Sequence, residues 1–325
     1  MARVVVTHPL PAGALDPLAS HEVVVPGEGE AMTGGGLRRE LAEAEALVCL
    51  LTDRVDRSLL AAAPRLRVVA NVAVGYDNID RVAAAERGVV VCNTPGVLDE
   101  TTADLAFALL LAAARLFSEA EGDLRAGRWQ GWDLLKYLGR DVHGATLGLV
   151  GYGGIARAVA RRARGFSMTV LHHARRPTGE QGYVATLDEL LARSDAVSLH
   201  VPLTDETRHL IDDRRLRLMR PTAVLVNTSR GPVVDEEALA LALTEGRLFA
   251  AGLDVYEREP AVHPLLLAAP RTVLLPHIGS ATVATRTAMA RMAADAVRDV
   301  LGGETPPNVV PPPPVLDDGR GQPPK

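Results

Sequence analysis

The stretch that decides the fold runs from residue 146 to residue 156 and reads Thr146-Leu147-Gly148-Leu149-Val150-Gly151-Tyr152-Gly153-Gly154-Ile155-Ala156. Its first five residues form a short apolar run that is typical of a buried strand. Closely spaced glycines follow, and small residues then alternate with arginines as far as Arg164, a pattern that favours an amphipathic helix. The order is therefore strand, glycine turn and helix, which is the opening of a parallel α/β unit.

The glycine turn is suited to hold a diphosphate. Gly151 permits the tight turn, Gly153 lets the backbone approach a phosphate closely, and Ala156 stands where a third glycine would allow close helix packing. Amide donors at Gly154 and Ile155, at the start of the helix, would face the anion. We therefore expect a bound dinucleotide, and a tight turn with no ligand is the alternative that such a motif leaves open.

The segment after the next strand bears on which dinucleotide binds. An acid about 20 residues beyond the turn would accept hydrogen bonds from the ribose 2′-hydroxyl of NAD. The chain instead reads Leu171-His172-His173-Ala174-Arg175-Arg176-Pro177, and no carboxylate follows before Glu180. Because Arg175 and Arg176 could pair with a 2′-phosphate, the sequence predicts that NADP(H) is preferred and that NAD(H) is possible. Two solvated surface arginines are the alternative.

Short apolar runs alternate with helical segments along the whole chain. Near-continuous apolar strands between helices are typical of parallel sheets covered on both faces, so we predict an α/β fold with two doubly wound domains. The predicted strands are Val4–Thr7, Glu22–Val25, Ala46–Leu51, Arg67–Val72, Val89–Cys92, Thr146–Val150, Thr169–His172, Ala196–His200, Ala223–Asn227, Ala250–Asp254 and Thr272–Leu275.

Two long helices and a tail complete the prediction. One helix is expected from Leu105 to Leu116, preceded by a capping box in which Thr101 is followed three residues later by Asp104. Asp104 is therefore expected to be a cap rather than a catalytic acid. Another helix is expected from Thr285 to Leu301. Residues 311–325 are rich in proline and poor in apolar side chains, which predicts a disordered tail.

Composition excludes several classes of protein. The chain has 325 residues, 47% of them hydrophobic, and a net charge of −5, which gives no general reason to expect nucleic acid or an anionic membrane as a partner. The longest apolar stretch, Leu105 to Ala114, is far shorter than the roughly 20 residues that span a bilayer. Cys49 and Cys92 each lie in an apolar run, and no metal-binding spacing is present. We expect a cytoplasmic protein without a metal ion.

Four polar side chains in the second half of the chain follow apolar strands: Arg230, Asp254, Glu259 and His277. In an open α/β sheet, ligands bind outside the carboxyl ends of the strands. A fixed cation, two carboxylates and an imidazole are therefore expected at one edge, where they could orient a carboxylate-bearing substrate and move a proton. The alternatives are a surface cation for Arg230, helix caps for Asp254 and Glu259, and a structural role for His277.

Five strings of the chain together form a specific pattern. They are Val74-Gly75-Tyr76-Asp77-Asn78-Ile79-Asp80, Asn93-Thr94-Pro95-Gly96-Val97-Leu98, the glycine turn, Asn227-Thr228-Ser229-Arg230-Gly231 and Pro276-His277-Ile278-Gly279-Ser280-Ala281-Thr282. With them the chain resembles the D-isomer-specific 2-hydroxyacid dehydrogenase family, over about Arg3 to Val310. The stretches Val74–Asp80, Arg175-Arg176 and His277–Thr282 are most similar to its glyoxylate/hydroxypyruvate reductase branch.

The resemblance implies a particular domain organisation. A Rossmann cofactor domain, residues 98–282, would be inserted into a flavodoxin-like substrate domain made of residues 1–97 and 283–310. The cleft would close on the substrate, and a homodimer would form largely through the cofactor domains. Trp129 and Trp132 are expected either at the subunit interface or near the mouth of the cleft.

The resemblance also implies roles for individual residues. Arg230 would bind the substrate carboxylate and carbonyl, His277 would be the acid/base, and Glu259 would hydrogen-bond its imidazole. Substrate would also meet Leu51 and the backbone amides of Val74 and Gly75. The expected cofactor contacts are Thr102, Gly151, Gly153, Gly154, Ile155, Ala156, His173, Arg175, Arg176, Val201, Pro202, Thr207, Thr228, Ser229, Arg230, Asp254, His277 and Gly279. Gly154 departs from the family pattern, which often has arginine there, and Ala156 replaces the usual third glycine.

The predicted function is NAD(P)H-dependent reduction of a small 2-keto acid, glyoxylate or hydroxypyruvate, to the D-2-hydroxy acid. Leu50 and Leu51 would offer the substrate side chain apolar bulk and no cation, although Arg54 lies nearby. One alternative is a dehydrogenase of D-3-phosphoglycerate or of another D-2-hydroxy acid. An alternative of another class is a dinucleotide-sensing binding protein that resembles corepressors related to this family.

Overall fold

The computed structural model describes residues 1–312 and contains two compact units. Of the described residues, unit 1 comprises 1–97 and 282–312, and unit 2 comprises Leu98–Ala281. Thr282, which the sequence assigned to the cofactor domain, belongs to unit 1. Its hydroxyl accepts a hydrogen bond from the amide of Thr285 and caps the helix that begins at Val283. The predicted tail at 311–325 lies outside the described residues except for Pro311 and Pro312.

Strands and helices alternate along the described chain. Two short 3-10 turns, Asp16–Leu18 and Gly231–Val233, complete the regular structure. The strands are β1 (Arg3–Val6), β2 (Glu22–Val24), β3 (Ala46–Cys49), β4 (Val68–Asn71), β5 (Val90–Cys92), β6 (Thr146–Val150), β7 (Thr169–His173), β8 (Ala196–Leu199), β9 (Val224–Asn227), β10 (Ala250–Leu253) and β11 (Thr272–Leu274). The helices are α1 (Gly34–Leu41), α2 (Arg57–Ala61), α3 (Arg81–Glu86), α4 (Asp99–Ala114), α5 (Phe117–Arg125), α6 (Gly154–Gly165), α7 (Leu187–Arg193), α8 (Asp213–Leu216), α9 (Glu236–Thr244), α10 (Pro264–Ala268) and α11 (Val283–Gly302).

Unit 1 is built on a five-stranded sheet in the order β2-β1-β3-β4-β5, in which every pairing is parallel. This is the strand order of flavodoxin-like folds. Helix α11 packs against β3, β4 and β5. A second apolar layer, which includes residues of α1, α2 and α3, covers the sheet with Leu47, Val69 and Val91 at its centre.

Unit 2 is built on a six-stranded parallel sheet in the order β11-β10-β9-β8-β6-β7. One face packs against α4 and α6, and the other packs against α7 and α9. The chain moves outward from β6 to β7 and then returns to the other side of β6 with β8. The sheet therefore has its switch point between β6 and β8, where open α/β sheets bind ligands at the carboxyl ends of their strands.

The predicted fold class is confirmed, and each predicted strand is present within one or two residues of its predicted bounds. The strands are recognisable because both faces of each sheet are covered, which requires short, continuous apolar runs. Several helix starts follow from local chemistry, since a side-chain oxygen at Asp56, Asp80, Thr186, Asp212 and Asp235 accepts an amide of the first turn.

The start of α4 corrects the prediction of a capping box. The helix begins at Asp99, so Thr101 and Asp104 both lie inside it and neither caps it. Asp104 instead accepts two hydrogen bonds from Arg162 of α6, at 2.7 and 2.5 Å. The two acids Asp99 and Glu100 stand in the first turn of α4, where the helix dipole favours negative charge.

Cys49 and Cys92 are both buried and unoxidised, and burial raises the pKa of Cys92 to about 12. Within residues 1–312, no one helix combines the length and apolar character needed to cross a membrane. Only α4 and α5 taken together reach that threshold, and they are bent by 67° relative to each other.

Candidate active site

The glycine turn after β6, called here the glycine cradle, is tight at Gly151 and leaves open space beside Gly153. Gly151 has φ of 86°, and a Cβ there would stand 2.4 Å from the carbonyl oxygen of His200, so only glycine fits. Gly153 is the N-cap of α6, it supplies no side-chain cap, and no atom lies within 4 Å of where its Cβ would be. The first amides of α6 lack intrahelical acceptors, so they face this open space as donors.

Two further residues of the turn, Ala156 and Gly154, determine how closely α6 packs against α4. Ala156 is fully buried and belongs to the apolar cluster that joins α4 and α6, so a methyl group is accommodated where a third glycine is usual. Gly154 leaves no room for a larger side chain because the carboxylate of Asp99 occupies the space where its Cβ would project. The departure at Gly154 therefore has a local steric cause.

The segment after β7 bears on cofactor type. Arg175 and Arg176 are exposed there. Glu180 is an ion-pair partner of Arg157 in α6, and this bond holds the pKa of the Glu180 carboxyl below its usual range. The nearest following carboxylate is therefore already engaged. The imidazole of His173 lies 3.0 Å from the carbonyl of Val184.

The loop after β8 is organised by one hydroxyl. Thr207 Oγ1 donates to the carbonyl of Pro202 at 2.7 Å and accepts the amide of Thr204 at 2.8 Å. Val201 lies beside the glycine turn, with its Cγ1 3.0 Å from the Cβ position of Gly151. The predicted cofactor contacts Val201, Pro202 and Thr207 thus share one loop at the carboxyl edge of the sheet.

The residues present fit a dinucleotide. Thr228, directly after β9 at the same edge, has a buried Oγ1 without a hydrogen-bond partner among residues 1–312. A buried hydroxyl in that state costs free energy unless a bound group satisfies it. Together with the open cradle at Gly153, it provides polar groups that a dinucleotide along this edge would use.

His277 and Glu259 form a couple. The imidazole Nδ1 lies 2.7 Å from Glu259 Oε2, and the other carboxylate oxygen accepts the amide of Tyr256 at 3.0 Å. Burial alone would raise the pKa of the Glu259 carboxyl, but the hydrogen bond and charge of His277, the Tyr256 amide and the charge of Arg230 hold it below its usual range. His277 has φ of 54°, a left-handed conformation that is strained for a non-glycine residue.

Asp254 holds that strained turn in place. Its carboxylate accepts the amides of Ile278 at 2.7 Å and Gly279 at 2.8 Å, and its carbonyl accepts the amide of His277 at 2.9 Å. It is almost fully buried, and burial raises the pKa of its carboxyl despite these amides. The helix-cap alternative for Asp254 is therefore wrong. Thr102 of α4 ties down the same loop by donating to the carbonyl of Gly279 at 3.3 Å.

Arg230 ends a turn that Asn227 organises. Asn227 is buried, its Oδ1 accepts the amide and hydroxyl of Ser229 at 3.0 and 2.8 Å, and its Nδ2 donates to the carbonyl of Arg230 at 2.9 Å. The guanidinium of Arg230 is half-buried and donates to the carbonyl of Ser229 at 2.9 Å. Its charge acts on Glu259, so the cation, the carboxylate and the imidazole lie in one neighbourhood.

Sequence reasoning missed two residues that organise this neighbourhood, Asn227 and Tyr256. Tyr256 is buried, its hydroxyl donates to the carbonyl of Leu275 at 2.9 Å, and burial raises its pKa to about 12. For Asn227 a signal existed, since a buried asparagine at the end of an apolar strand and before a turn needs a partner for its amide. For Tyr256 there was none, because its partners are Leu275, directly after β11, and Glu259.

The predicted substrate residues Leu51, Val74 and Gly75 belong to unit 1, where they follow β3 and β4. Asn93 Nδ2 donates to the carbonyl of Val74 at 2.7 Å, and Asn71 Nδ2 donates to that of Gly75 at 2.8 Å. Both carbonyls are therefore held, which orients the backbone of the loop. Over the described part of the chain, no three His, Cys, Asp or Glu side chains come close enough to hold a metal ion.

Comparison with known proteins identifies the family. Residues 107–279 match the model of the D-isomer specific 2-hydroxyacid dehydrogenase, NAD binding domain. A glyoxylate reductase from Thermococcus litoralis is 46% identical over 318 residues, which cover 95% of this chain and 96% of that protein. A glyoxylate reductase from Korarchaeum cryptofilum is 49% identical, with 95% of both chains covered.

Solved structures agree with this result. A protein from Thermus thermophilus superposes with a TM-score of 0.90 at 46% identity, covering 95% of this chain and all of that chain. An NADPH-dependent glyoxylate/hydroxypyruvate reductase from Sinorhizobium meliloti, solved with NADP and malonate, gives a TM-score of 0.85 at 36% identity, with 95% and 96% covered. The resemblance found in the sequence is confirmed: the chain belongs to the D-isomer-specific 2-hydroxyacid dehydrogenase family and is an oxidoreductase with an NAD-binding domain.

Proposed function

We propose that this protein reduces glyoxylate or hydroxypyruvate to the corresponding 2-hydroxy acid, the D isomer where the product is chiral, and prefers NADPH. The observation that carries the proposal is the His277–Glu259 couple, with its 2.7 Å contact, in the neighbourhood of Arg230. This group stands at the same sheet edge as the glycine cradle. The names of the relatives from Thermococcus litoralis and Korarchaeum cryptofilum, both glyoxylate reductases, support the substrate class.

His277 delivers the proton. Because Nδ1 faces the Glu259 carboxylate, Nε2 is the nitrogen left to donate to the carbonyl oxygen of the substrate. Glu259 orients the ring, and the Tyr256 amide orients Glu259 in turn. General acid catalysis of this kind is worth roughly 10²- to 10⁴-fold in rate.

Arg230 binds and polarises the substrate. Its planar guanidinium matches a carboxylate in geometry and remains charged at any physiological pH. We assign it to the substrate carboxylate and carbonyl, where it stabilises the negative charge that develops on oxygen. In unit 1, the backbone amides of Val74 and Gly75 would hold the carboxylate, and Leu51 would meet the side chain.

NADPH, when bound, supplies the hydride that reduces the carbonyl carbon. We propose that the amides of Gly154, Ile155 and Ala156 at the start of α6, with Gly151 and Gly153, hold its diphosphate. Thr102, Thr228, Ser229, Arg230, Asp254, His277 and Gly279 would surround the nicotinamide half, and His173, Arg175, Arg176, Val201, Pro202 and Thr207 the adenosine half. The preference for NADPH over NADH is supported by two exposed arginines after β7 and by the engagement of Glu180 with Arg157.

We assign the cofactor to unit 2 and the substrate loops to unit 1, which makes the substrate domain discontinuous along the chain. We also propose that the protein is a cytoplasmic homodimer. Support for a dimer comes from a run of exposed apolar side chains in unit 2, called here the 117–138 segment. Its exposed large apolar residues are Phe117, Leu124, Trp129, Trp132, Leu134, Leu135 and Leu138.

A phosphorylated substrate is less well supported. Leu50 and Leu51 supply no charge after β3, and the nearby cation Arg54 is highly exposed and pairs with Asp56 at 3.5 Å. A 3-phosphoglycerate dehydrogenase would need cations at that position to bind the phosphate. These contacts favour a small, uncharged substituent on the 2-keto acid.

The decisive experiment measures oxidation of NADPH and of NADH in parallel with glyoxylate, hydroxypyruvate, pyruvate and 3-phosphohydroxypyruvate. We expect the highest kcat/KM with NADPH and with glyoxylate or hydroxypyruvate. Turnover that is fastest with 3-phosphohydroxypyruvate would favour the phosphoglycerate alternative. Dinucleotide binding without turnover of any of the four acids would favour a dinucleotide-sensing binding protein.

A separate variant tests the preference for NADPH over NADH. Arg175→Asp replaces a cation with an anion at the proposed 2′-phosphate site, so NADPH affinity should fall far more than NADH affinity. Arg193→Asp, which changes an exposed arginine on α7 that pairs with Glu189, controls for the change in net charge. Equal losses for the two dinucleotides in Arg175→Asp would contradict the assignment.

A further inference from the structure

The space into which a side chain at Gly154 would project, called here the space above Gly154, is filled by a carboxylate from another helix. A Cβ added to Gly154, the first residue of α6, would stand 1.8 Å from Asp99 Oδ2. Asp99 is the first residue of α4, and its side chain is partly buried between the starts of the two helices. A carboxylate therefore rests against the first turn of α6, beside the amides to which we assign the cofactor diphosphate.

This position has two opposed electrostatic consequences. The positive ends of α4 and α6 favour an anion there, which explains how the acid is tolerated before any ligand binds. A diphosphate that takes up the amides of α6 brings a second anion into the same place. Like charges at close range oppose each other strongly where solvent is partly excluded.

The charges around Asp99 leave its carboxylate poorly compensated. On α4, its neighbour Glu100 is an ion-pair partner of both Arg161 and Arg162 of α6. Arg162 also pairs with Asp104. In residues 1–312 no side chain forms a hydrogen bond or ion pair with the Asp99 carboxylate. Burial raises its pKa, the charge of Glu100 raises it further, and Arg161 lowers it in part.

We propose that Asp99 is an affinity-setting residue of the cofactor site: its carboxylate acts as an internal anion that opposes the incoming diphosphate and is neutralised by a proton when the dinucleotide binds. This inference rests on the proposed function, since it takes the first turn of α6 to be the diphosphate site. Two effects follow from it. The protein binds the cofactor more weakly than its glycine cradle alone would allow, and binding strengthens as the pH falls.

The test compares Asp99→Asn with the wild-type protein by isothermal titration of NADP⁺ at two pH values, about pH 6 and about pH 8, in buffers of different ionisation enthalpy. Asparagine keeps the shape of the side chain and removes its charge. Removing one close like charge at a partly solvated site should tighten NADP⁺ binding by roughly five- to tenfold at the higher pH. The variant should also take up fewer protons on binding than the wild type.

Two controls isolate the effect. The 2′-phosphate of NADP⁺ titrates near pH 6 in both proteins, so it cancels in the difference between them. Glu100→Gln makes the same change of charge one residue away, at a carboxylate that is exposed and already paired with two arginines. It should tighten binding less than Asp99→Asn does, because it leaves the negative charge in the space above Gly154.

The outcomes separate this inference from the proposed function. If Asp99→Asn binds NADP⁺ with unchanged or weaker affinity at the higher pH, or if proton uptake is the same in both proteins, the role of Asp99 is refuted while the dinucleotide site stands. If neither protein binds NADP⁺ or NAD⁺, both proposals fail together. Asp99→Ser, with a thermal midpoint recorded for each variant, keeps the result independent of any change in stability of α4.

Discussion

At the scale of single residues, the chemistry depends on the two carboxylate oxygens of Glu259, which have different partners. One faces His277 Nδ1 at 2.7 Å and the other accepts the Tyr256 amide at 3.0 Å. Glu259→Gln keeps the shape but removes the negative charge that faces the His277 ring. We expect kcat/KM for the keto acid to fall by about 10²-fold, the lower end of what general acid catalysis contributes. Steady-state kinetics across pH would measure it, and an unchanged pH profile would contradict it.

The same variant should show a defined pH dependence of stability. Because the pKa of Glu259 is lowered in the folded protein, its interactions stabilise the fold above the unfolded-state value of about 4.3 and are lost as pH falls through the folded-state value. The gap in thermal midpoint between the wild type and Glu259→Gln should therefore be larger at about pH 6 than at about pH 3.5. A gap that widens in acid would have the wrong sign.

At the scale of elements, Tyr256 links the end of β10 to the end of β11. Its hydroxyl donates to the carbonyl of Leu275, which lies two residues before His277. Tyr256→Phe removes that bond and keeps the backbone amide that holds Glu259. We expect stability to fall by about 1 kcal/mol, a typical value for one hydrogen bond, and kcat to fall while KM changes little. Denaturant unfolding and kinetics would test both, and a variant with altered KM and unaltered kcat would argue against a positioning role.

The same scale shows why part of the structure was predictable. The strands of residues 1–312 were recognisable because a sheet that is covered on both faces leaves short apolar runs in the sequence. The start of α4 was predicted wrongly because Thr101 and Asp104 carry the local signature of a capping box. What decides their roles is tertiary: Arg162 of α6 meets Asp104, and the helix already begins at Asp99. Such tertiary contacts cannot be recognised from the neighbouring residues in the sequence.

The polar residues divide in the same way. Arg230, Asp254, Glu259 and His277 could be proposed because each follows a strand of a parallel sheet, and the carboxyl ends of such strands share one edge. The sequence could not tell that Asp254 would hold the backbone of His277, or that Asp99 would fill the space above Gly154. Both facts depend on which loops and helix ends meet, and neither pair is close in sequence.

At the scale of the whole molecule, the surface of unit 2 predicts self-association. The 117–138 segment exposes large apolar side chains, among them Trp132 at 83% and Leu135 at 76%. A concentration of large exposed apolar side chains in one segment is typical of surfaces that another chain covers. We therefore expect the wild-type protein to sediment at twice the mass of one chain. A double variant, Trp132→Ser with Leu135→Ser, should sediment as a monomer, because polar side chains remove the apolar area that drives association.

Leu267→Ser is the matched control for the double variant, since Leu267 is an exposed leucine on α10, at 61%, and lies outside the 117–138 segment. It should leave the wild-type mass unchanged. Binding of NADP⁺ measured on all three proteins separates loss of the dimer from loss of the fold. A double variant that stays dimeric but has an altered KM for the keto acid would assign Trp132 to the mouth of the cleft instead. A wild-type protein that sediments as a monomer at micromolar concentration would contradict the dimer, and the apolar segment would then need another partner.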